Sequence, residues 1–292
     1  MPYITVGKEN SGSIDIYYED HGEGQPVVLM HGFPLSGASW EKQVPALLDA
    51  GHRVITIDRR GFGKSSQPTV GYDYDTFAAD FNSVIEELDL QDAVLAGFSM
   101  GTGEVTRYLG TYGSERVSKA VLFGPIPPFL LKTDDNPEGV PGDLFEGFKD
   151  AIRKDRPAYQ KSFLDDFNNV DVFGGTRISD QAWQAEFIVA VGASAIGTVA
   201  CVDAWLTDFR DDLPKIDVPV LVMQGSEDRI LPPDATGRRL DDLIDDVRHL
   251  EVDKGPHNIG WTHPEEVNAA LLGFIATSEP EAVGEAAAVA TA

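Results

Sequence analysis

Apolar residues recur along this chain in two alternating rhythms. Pro26-Val27-Val28-Leu29-Met30, Arg53-Val54-Ile55-Thr56-Ile57 and Ala93-Val94-Leu95-Ala96 are short continuous apolar runs, as parallel strands buried on both faces require. Val117–Phe123, Val218–Gln224 and Val247–Val252 extend the series. Ser13–Asp20 has another pattern: Ile14, Ile16 and Tyr18 alternate with Asp15, Tyr17 and Glu19, which predicts a half-exposed edge strand. Between these runs the spacing lengthens to three and four. Ser39–Ala50 reads as a helix with Ser39 as its N-cap. Tyr74–Leu88 reads as an amphipathic helix carrying Phe77, Phe81, Val84, Ile85 and Leu88 on one face. Met100–Gly110 and Pro264–Ile275 complete the set. Strands that alternate with helices predict a doubly wound, mostly parallel sheet.

The alternation stops between Pro125 and Asp217. That stretch opens with Pro125, Pro127 and Pro128, passes the turn Asp134-Asp135-Asn136-Pro137, and continues in a mostly helical pattern without clear strands. It reads as a helical cap over the carboxyl ends of the strands, where open α/β sheets bind ligands. The expected organisation is a core over residues 1–124 and 218–277, a cap over 125–217, and an acidic, alanine-rich tail over 278–292. The tail lacks periodic apolar positions and is expected to be disordered.

Composition narrows the function classes. A formal charge of −25 repels nucleic acid and anionic membranes, so neither is an expected partner. A lone cysteine, Cys201, excludes an intramolecular disulfide and fits a reducing compartment. Residues 1–10 lack the basic and apolar regions of a secretion signal, and no apolar run approaches the ~20 residues of a membrane span. The expectation is a cytoplasmic protein.

Candidate chemistry centres on Gly97-Phe98-Ser99-Met100-Gly101. A G-x-S-x-G pentapeptide between a buried strand and a helix presents its serine on a sharp turn, where flanking side chains would collide with the neighbouring strand and helix. A serine nucleophile needs a base, a group that orients the base, and donors for the developing oxyanion. His257 follows the last strand, in Lys254-Gly255-Pro256-His257, at the edge of the sheet from which a base reaches Ser99. His263 begins the last helix as a packing or capping residue. The orienting acid is expected at the end of the strand that resumes the sheet, as Asp228 or Glu227; the preceding strand ends in Phe123-Gly124-Pro125 without a carboxylate. The oxyanion donors are expected to be the amides of Met100, next to the nucleophile, and of Phe33, in the loop His31-Gly32-Phe33-Pro34. His31 then shapes this loop, and Pro34 restricts the backbone of Phe33. Neither H-E-x-x-H nor paired cysteines occur, so no metal is expected. Gly61-Phe62-Gly63-Lys64-Ser65 fails the spacing of a phosphate loop.

Together, His31-Gly-Phe-Pro, Asp58-Arg-Arg-Gly-Phe-Gly-Lys-Ser-Ser, Gly71-Tyr-Asp-Tyr-Asp-Thr-Phe-Ala-Ala-Asp, Gly97-Phe-Ser-Met-Gly-Thr-Gly-Glu and Trp261-Thr-His-Pro-Glu-Glu-Val-Asn resemble the cofactor-free haloperoxidases, or perhydrolases, of the α/β-hydrolase superfamily, with their esterase and γ-lactamase relatives. The resemblance implies an α/β-hydrolase fold with an eight-stranded sheet, a helical cap, often a homo-oligomer, and no cofactor. It implies a triad of Ser99, Asp228 and His257, with Asp228 preferred over Glu227 by the segment Gly-x-x-Asp-x-x-Leu-Pro. It also implies acyl transfer from a small ester, amide or lactam, with perhydrolysis as a side activity. A γ-lactamase and, from another class, a binding protein without turnover are the alternatives. Pro34, Phe129, Trp183, Phe187, Trp205 and Ile259 are the expected substrate-lining residues. The chain departs from the family pattern at Asn258, directly after the candidate base, at Gly124-Pro-Ile-Pro-Pro, and across Val170–Val202.

Overall fold

The computed structural model describes residues 2–277; the tail expected to be disordered lies outside them. Eight strands form one sheet in the order β1-β2-β4-β3-β5-β6-β7-β8. They are β1 (Tyr3–Glu9), β2 (Gly12–His21), β3 (Pro26–Met30), β4 (Arg53–Ile57), β5 (Ala93–Phe98), β6 (Val117–Phe123), β7 (Val220–Gly225) and β8 (Val247–Val252). β1 and β2 run antiparallel and join the sheet through an antiparallel β2–β4 pairing. All other pairings are parallel. The continuous apolar runs are the central strands, and β3, β5 and β7 are buried almost along their whole length. β1 carries no clean alternation because a bulge between Thr5 and Gly7 breaks its register.

Helices α1 (Gln43–Asp49), α2 (Tyr74–Glu87), α3 (Met100–Tyr112) and α9 (Pro264–Ala276) cover the sheet. The helix expected over Ser39–Ala50 is split into a 3-10 turn, Gly37–Trp40, and α1. Pro45 explains the split: without an N–H it is tolerated only in a first helical turn. The cap is Ser36, whose Oγ accepts from the Ala38 amide, while Ser39 Oγ donates to the Ser36 carbonyl at 2.8 Å.

Between β6 and β7 lie α4 (Gly142–Phe167), α5 (Val170–Phe173), α6 (Asp180–Val191) and α7 (Ala195–Ala204). α4 is kinked at Asp155, whose backbone is non-helical, just before Pro157. Asp155 Oδ1 accepts from the Ala158 amide at 3.1 Å and so caps the second half. Short α8 (Ile259–Thr262) precedes α9. No single helix among the described residues is long and apolar enough to cross a membrane.

Candidate active site

Ser99 occupies the turn from β5 into α3 with φ +53° and ψ −117°, a conformation that costs an L-residue on the order of 1–3 kcal/mol. The surroundings enforce it. The Ser99 amide donates to the Phe123 carbonyl at 2.8 Å, and the Ser99 carbonyl accepts from Thr102 Oγ1 at 2.6 Å. A Cβ at Gly97 would lie 2.4 Å from the Gly101 carbonyl oxygen, and one at Gly101 2.4 Å from that of Met30. Both positions therefore require glycine for space.

His257, in the loop after β8, is fully buried. Its Nδ1 lies 2.6 Å from Asp228 Oδ2. Asp228 Oδ1 accepts from the Ile230 and Leu231 amides at 2.9 and 2.8 Å. The carboxylate is thus fixed by backbone donors and turns one oxygen to the imidazole. Glu227 is exposed, and its amide donates to the Gly255 carbonyl, so its neighbour is the acid brought to His257. The imidazole is packed between aromatic rings, Phe98 at 5.0 Å and Phe167 at 5.1 Å between centroids. His257 Nε2 is buried and has no hydrogen-bond partner among the described residues.

The loop after β3 approaches the serine closely: a Cβ at Gly32 would lie 3.0 Å from Ser99 Cβ. Neither the Phe33 nor the Met100 amide has an acceptor among the described residues. Phe33 precedes Pro34 through a cis peptide. The loop is braced from beneath by groups that sequence reasoning passed over. Arg59 Nη2 donates to the His31 carbonyl at 2.7 Å, the Arg59 amide to His31 Nε2 at 3.0 Å, and Arg59 Nε to buried Glu104. Burial and the Arg59 charge hold the His31 imidazole well below its ordinary pKa, so it stays neutral and keeps Nε2 as an acceptor. Histidine in that role is a loop brace.

A cavity of about 320 Å³ opens beside Ser99. Its walls come from the β3 loop (Phe33), from α4 (Phe145, Phe148, Tyr159, Phe163) and from the segment after Asp228 (Ile230, Leu231), with Trp205 at the end of α7. It is mostly apolar. Of the expected lining residues, Trp205 is there, with Phe33 edge-on at 4.8 Å. The others are elsewhere. Trp183 and Phe187 stack on each other at 5.4 Å, and Trp183 borders a separate depression. Phe129 lies under the Arg210 guanidinium, Ile259 is buried in the core cluster with Phe98 and Phe167, and Pro34 is buried in its loop without reaching the cavity. α6 is apolar on nearly every side, so its sequence gives no sign that none of its residues lines this cavity. The aromatic face of α4, which forms much of the wall, has a readable three-to-four spacing at Phe145, Phe148, Tyr159 and Phe163.

A strained serine elbow on a doubly wound sheet, with a buried Asp–His pair at the neighbouring strand ends, defines a class. The family described as alpha/beta hydrolase fold matches residues 25–264, and the chain belongs to it. Within that family, the chain is 64% identical over 275 residues to the "Putative non-heme chloroperoxidase" of Synechocystis sp., covering 94% of this chain and 100% of that protein. It is 34% identical to the bifunctional esterase/perhydrolase DCH of Acinetobacter calcoaceticus, covering 94% and 99%. The crystal structure of a bromoperoxidase from Bacillus anthracis superposes with a TM-score of 0.89 at 45% identity, covering 94% of this chain and 98% of that one.

Proposed function

We propose that this protein is a serine hydrolase of small carboxylic esters that also transfers its acyl group to hydrogen peroxide. The observation that carries the reading is the buried Asp228–His257 contact of 2.6 Å, beside a strained Ser99 that forms part of an apolar cavity wall. In this reading Asp228 holds the Nδ1–H tautomer of His257 and leaves Nε2 free to take the Ser99 proton. The Ser99 oxygen then attacks the ester carbonyl. The Phe33 and Met100 amides, which have no other acceptor, receive the developing oxyanion. Proton return from His257 expels the alcohol and leaves an acyl-enzyme. Water, activated by the same imidazole, releases the acid. Hydrogen peroxide in place of that water releases a peracid, which oxidises halide in solution. The relatives named for chloroperoxidase and for esterase/perhydrolase activity support both outcomes from a single acyl-enzyme.

The test is p-nitrophenyl acetate hydrolysis by the wild type and by Ser99→Ala. The expected loss is of order 10³-fold or more. Bromide oxidation in peroxide and acetate is expected to fall in the same variant, because both reactions share the acyl-enzyme. Equal rates in the two proteins would remove the serine mechanism.

A further inference from the structure

Three consecutive residues where α4 ends touch both loops that carry the Asp228–His257 pair. The Phe167 ring packs edge-on against the His257 imidazole, and its carbonyl accepts from the Asn258 amide at 3.0 Å. The Asn168 side-chain oxygen accepts from Asn258 Nδ2 at 2.9 Å. Asn169 Nδ2 donates to the Glu227 carbonyl at 3.0 Å, one residue before the acid. Asn169 takes the left-handed conformation, φ +46°, and this turns the chain so that neighbouring side chains reach different loops. Both asparagines are fully buried. Glu186 of α6 closes the cluster: its Oε1 accepts from Asn258 Nδ2 at 2.9 Å and its Oε2 from Asn168 Nδ2 at 2.7 Å.

We propose that Asn168, Asn169, Glu186 and Asn258 are positioning residues that clasp the helical insertion to the His257 and Asp228 loops and hold the imidazole in register with Ser99. Burying a carboxyl group and three amides costs stability that apolar side chains of the same size would not. Of the buried side-chain atoms in this network only Asn169 Oδ1 lacks a partner among the described residues, and hydrogen bonds of this kind fix one geometry where an apolar contact would tolerate several. The contacts fall on the residue after the base and the residue before the acid. The geometry fixed is therefore that of the pair. The inference rests on the hydrolase reading above, since a positioned base has meaning only for a reaction that uses it.

The test is Asn258→Ala, which leaves the backbone of the loop intact and removes both side-chain ties to the insertion. On p-nitrophenyl acetate, kcat is expected to fall about tenfold with KM within twofold of wild type. The low-field proton resonance of the His257 Nδ1–H···Asp228 hydrogen bond is expected to shift and broaden. Leu213→Ala, buried beside the end of α3 away from Ser99, serves as a destabilised control that keeps wild-type kcat and resonance. Should Asn258→Ala not fold, Asn169→Gly, which keeps the left-handed turn and unties only the acid loop, is read in the same way. A variant with a lower Tm but unchanged kcat and resonance would overturn the clasp and leave the hydrolase reading standing. Wild-type activity in Ser99→Ala would overturn the reading on which the clasp depends.

Discussion

At the scale of single residues, Glu186 has the most direct consequence for solution behaviour. Its carboxyl has no cationic partner among the described residues; burial pushes its pKa up to about 7, against which the amides of Asn168 and Asn258 work only in part. The folded protein therefore keeps a proton that the unfolded chain, with a carboxyl near 4.5, gives up. Stability from this group is present at low pH and declines as pH rises from about 4.5 to 7, at up to 1.36 kcal/mol per pH unit. Glu186→Gln carries no such proton, so its stability relative to wild type is expected to improve by on the order of 3 kcal/mol between pH 4.5 and 8. Urea unfolding at the two pH values measures the difference; a constant offset would mean that Glu186 ionises normally. Single residues also set the limit of what the sequence discloses. Ser99 and His257 stand in short segments whose local pattern forces a turn or a strand-end loop, and both are therefore legible. Asp228 and Glu227 are adjacent acids, separable in sequence only through the resemblance. In the structure the Ile230 and Leu231 amides fold the turn around one of them. Arg59, Glu104, Asn168 and Glu186 are polar residues whose side-chain partners lie between 18 and 90 positions away, and local pattern has no access to such pairings.

At the scale of elements, the kinked helix α4 decides what the cavity accepts. Its apolar residues face Phe33 and Trp205 across a space of about 320 Å³, well beyond the needs of an acetyl group. Each further methylene that enters an apolar wall gains about 0.8 kcal/mol, or roughly fourfold. For p-nitrophenyl esters, kcat/KM is expected to rise from acetate through butyrate before levelling as the cavity fills. A steady fall from acetate onward would show that the acyl chain lies outside this space. The strands were legible because buried parallel strands are written as unbroken apolar runs, and β1 escaped because its bulge interrupts the alternation. Pro45 moved the start of α1 by several residues, an effect visible in the sequence once the missing N–H is weighed against helix length. The lining residues of the insertion were the least legible. α6 is apolar on nearly every side, yet it leaves Ile188 exposed and sends no residue to the cavity, and only the packing tells what its apolar positions meet.

At the scale of the whole molecule, a charge of −25 on 292 residues means self-repulsion that added salt relieves. The Tm at pH 8 is expected to rise by several degrees between 10 mM and 0.5 M sodium chloride, as scanning calorimetry can measure. A falling Tm would show that local ion pairs such as Arg238–Glu251 and Arg229–Asp171 outweigh the net charge. The sheet itself constrains the family history of this chain. Gly124, at the end of β6, sits at φ +50°, and a Cβ there would lie 2.9 Å from His257 Cε1 and 3.5 Å from Asp228 Oδ2. The strand end next to that of Asp228 is thus filled by the imidazole to which Asp228 is hydrogen-bonded. A carboxylate transplanted from β7 to position 124 would collide with its own partner before it could orient it. The two strand ends are therefore not interchangeable seats, and a descendant of this chain could move its acid to that position only by re-laying the histidine loop in the same step.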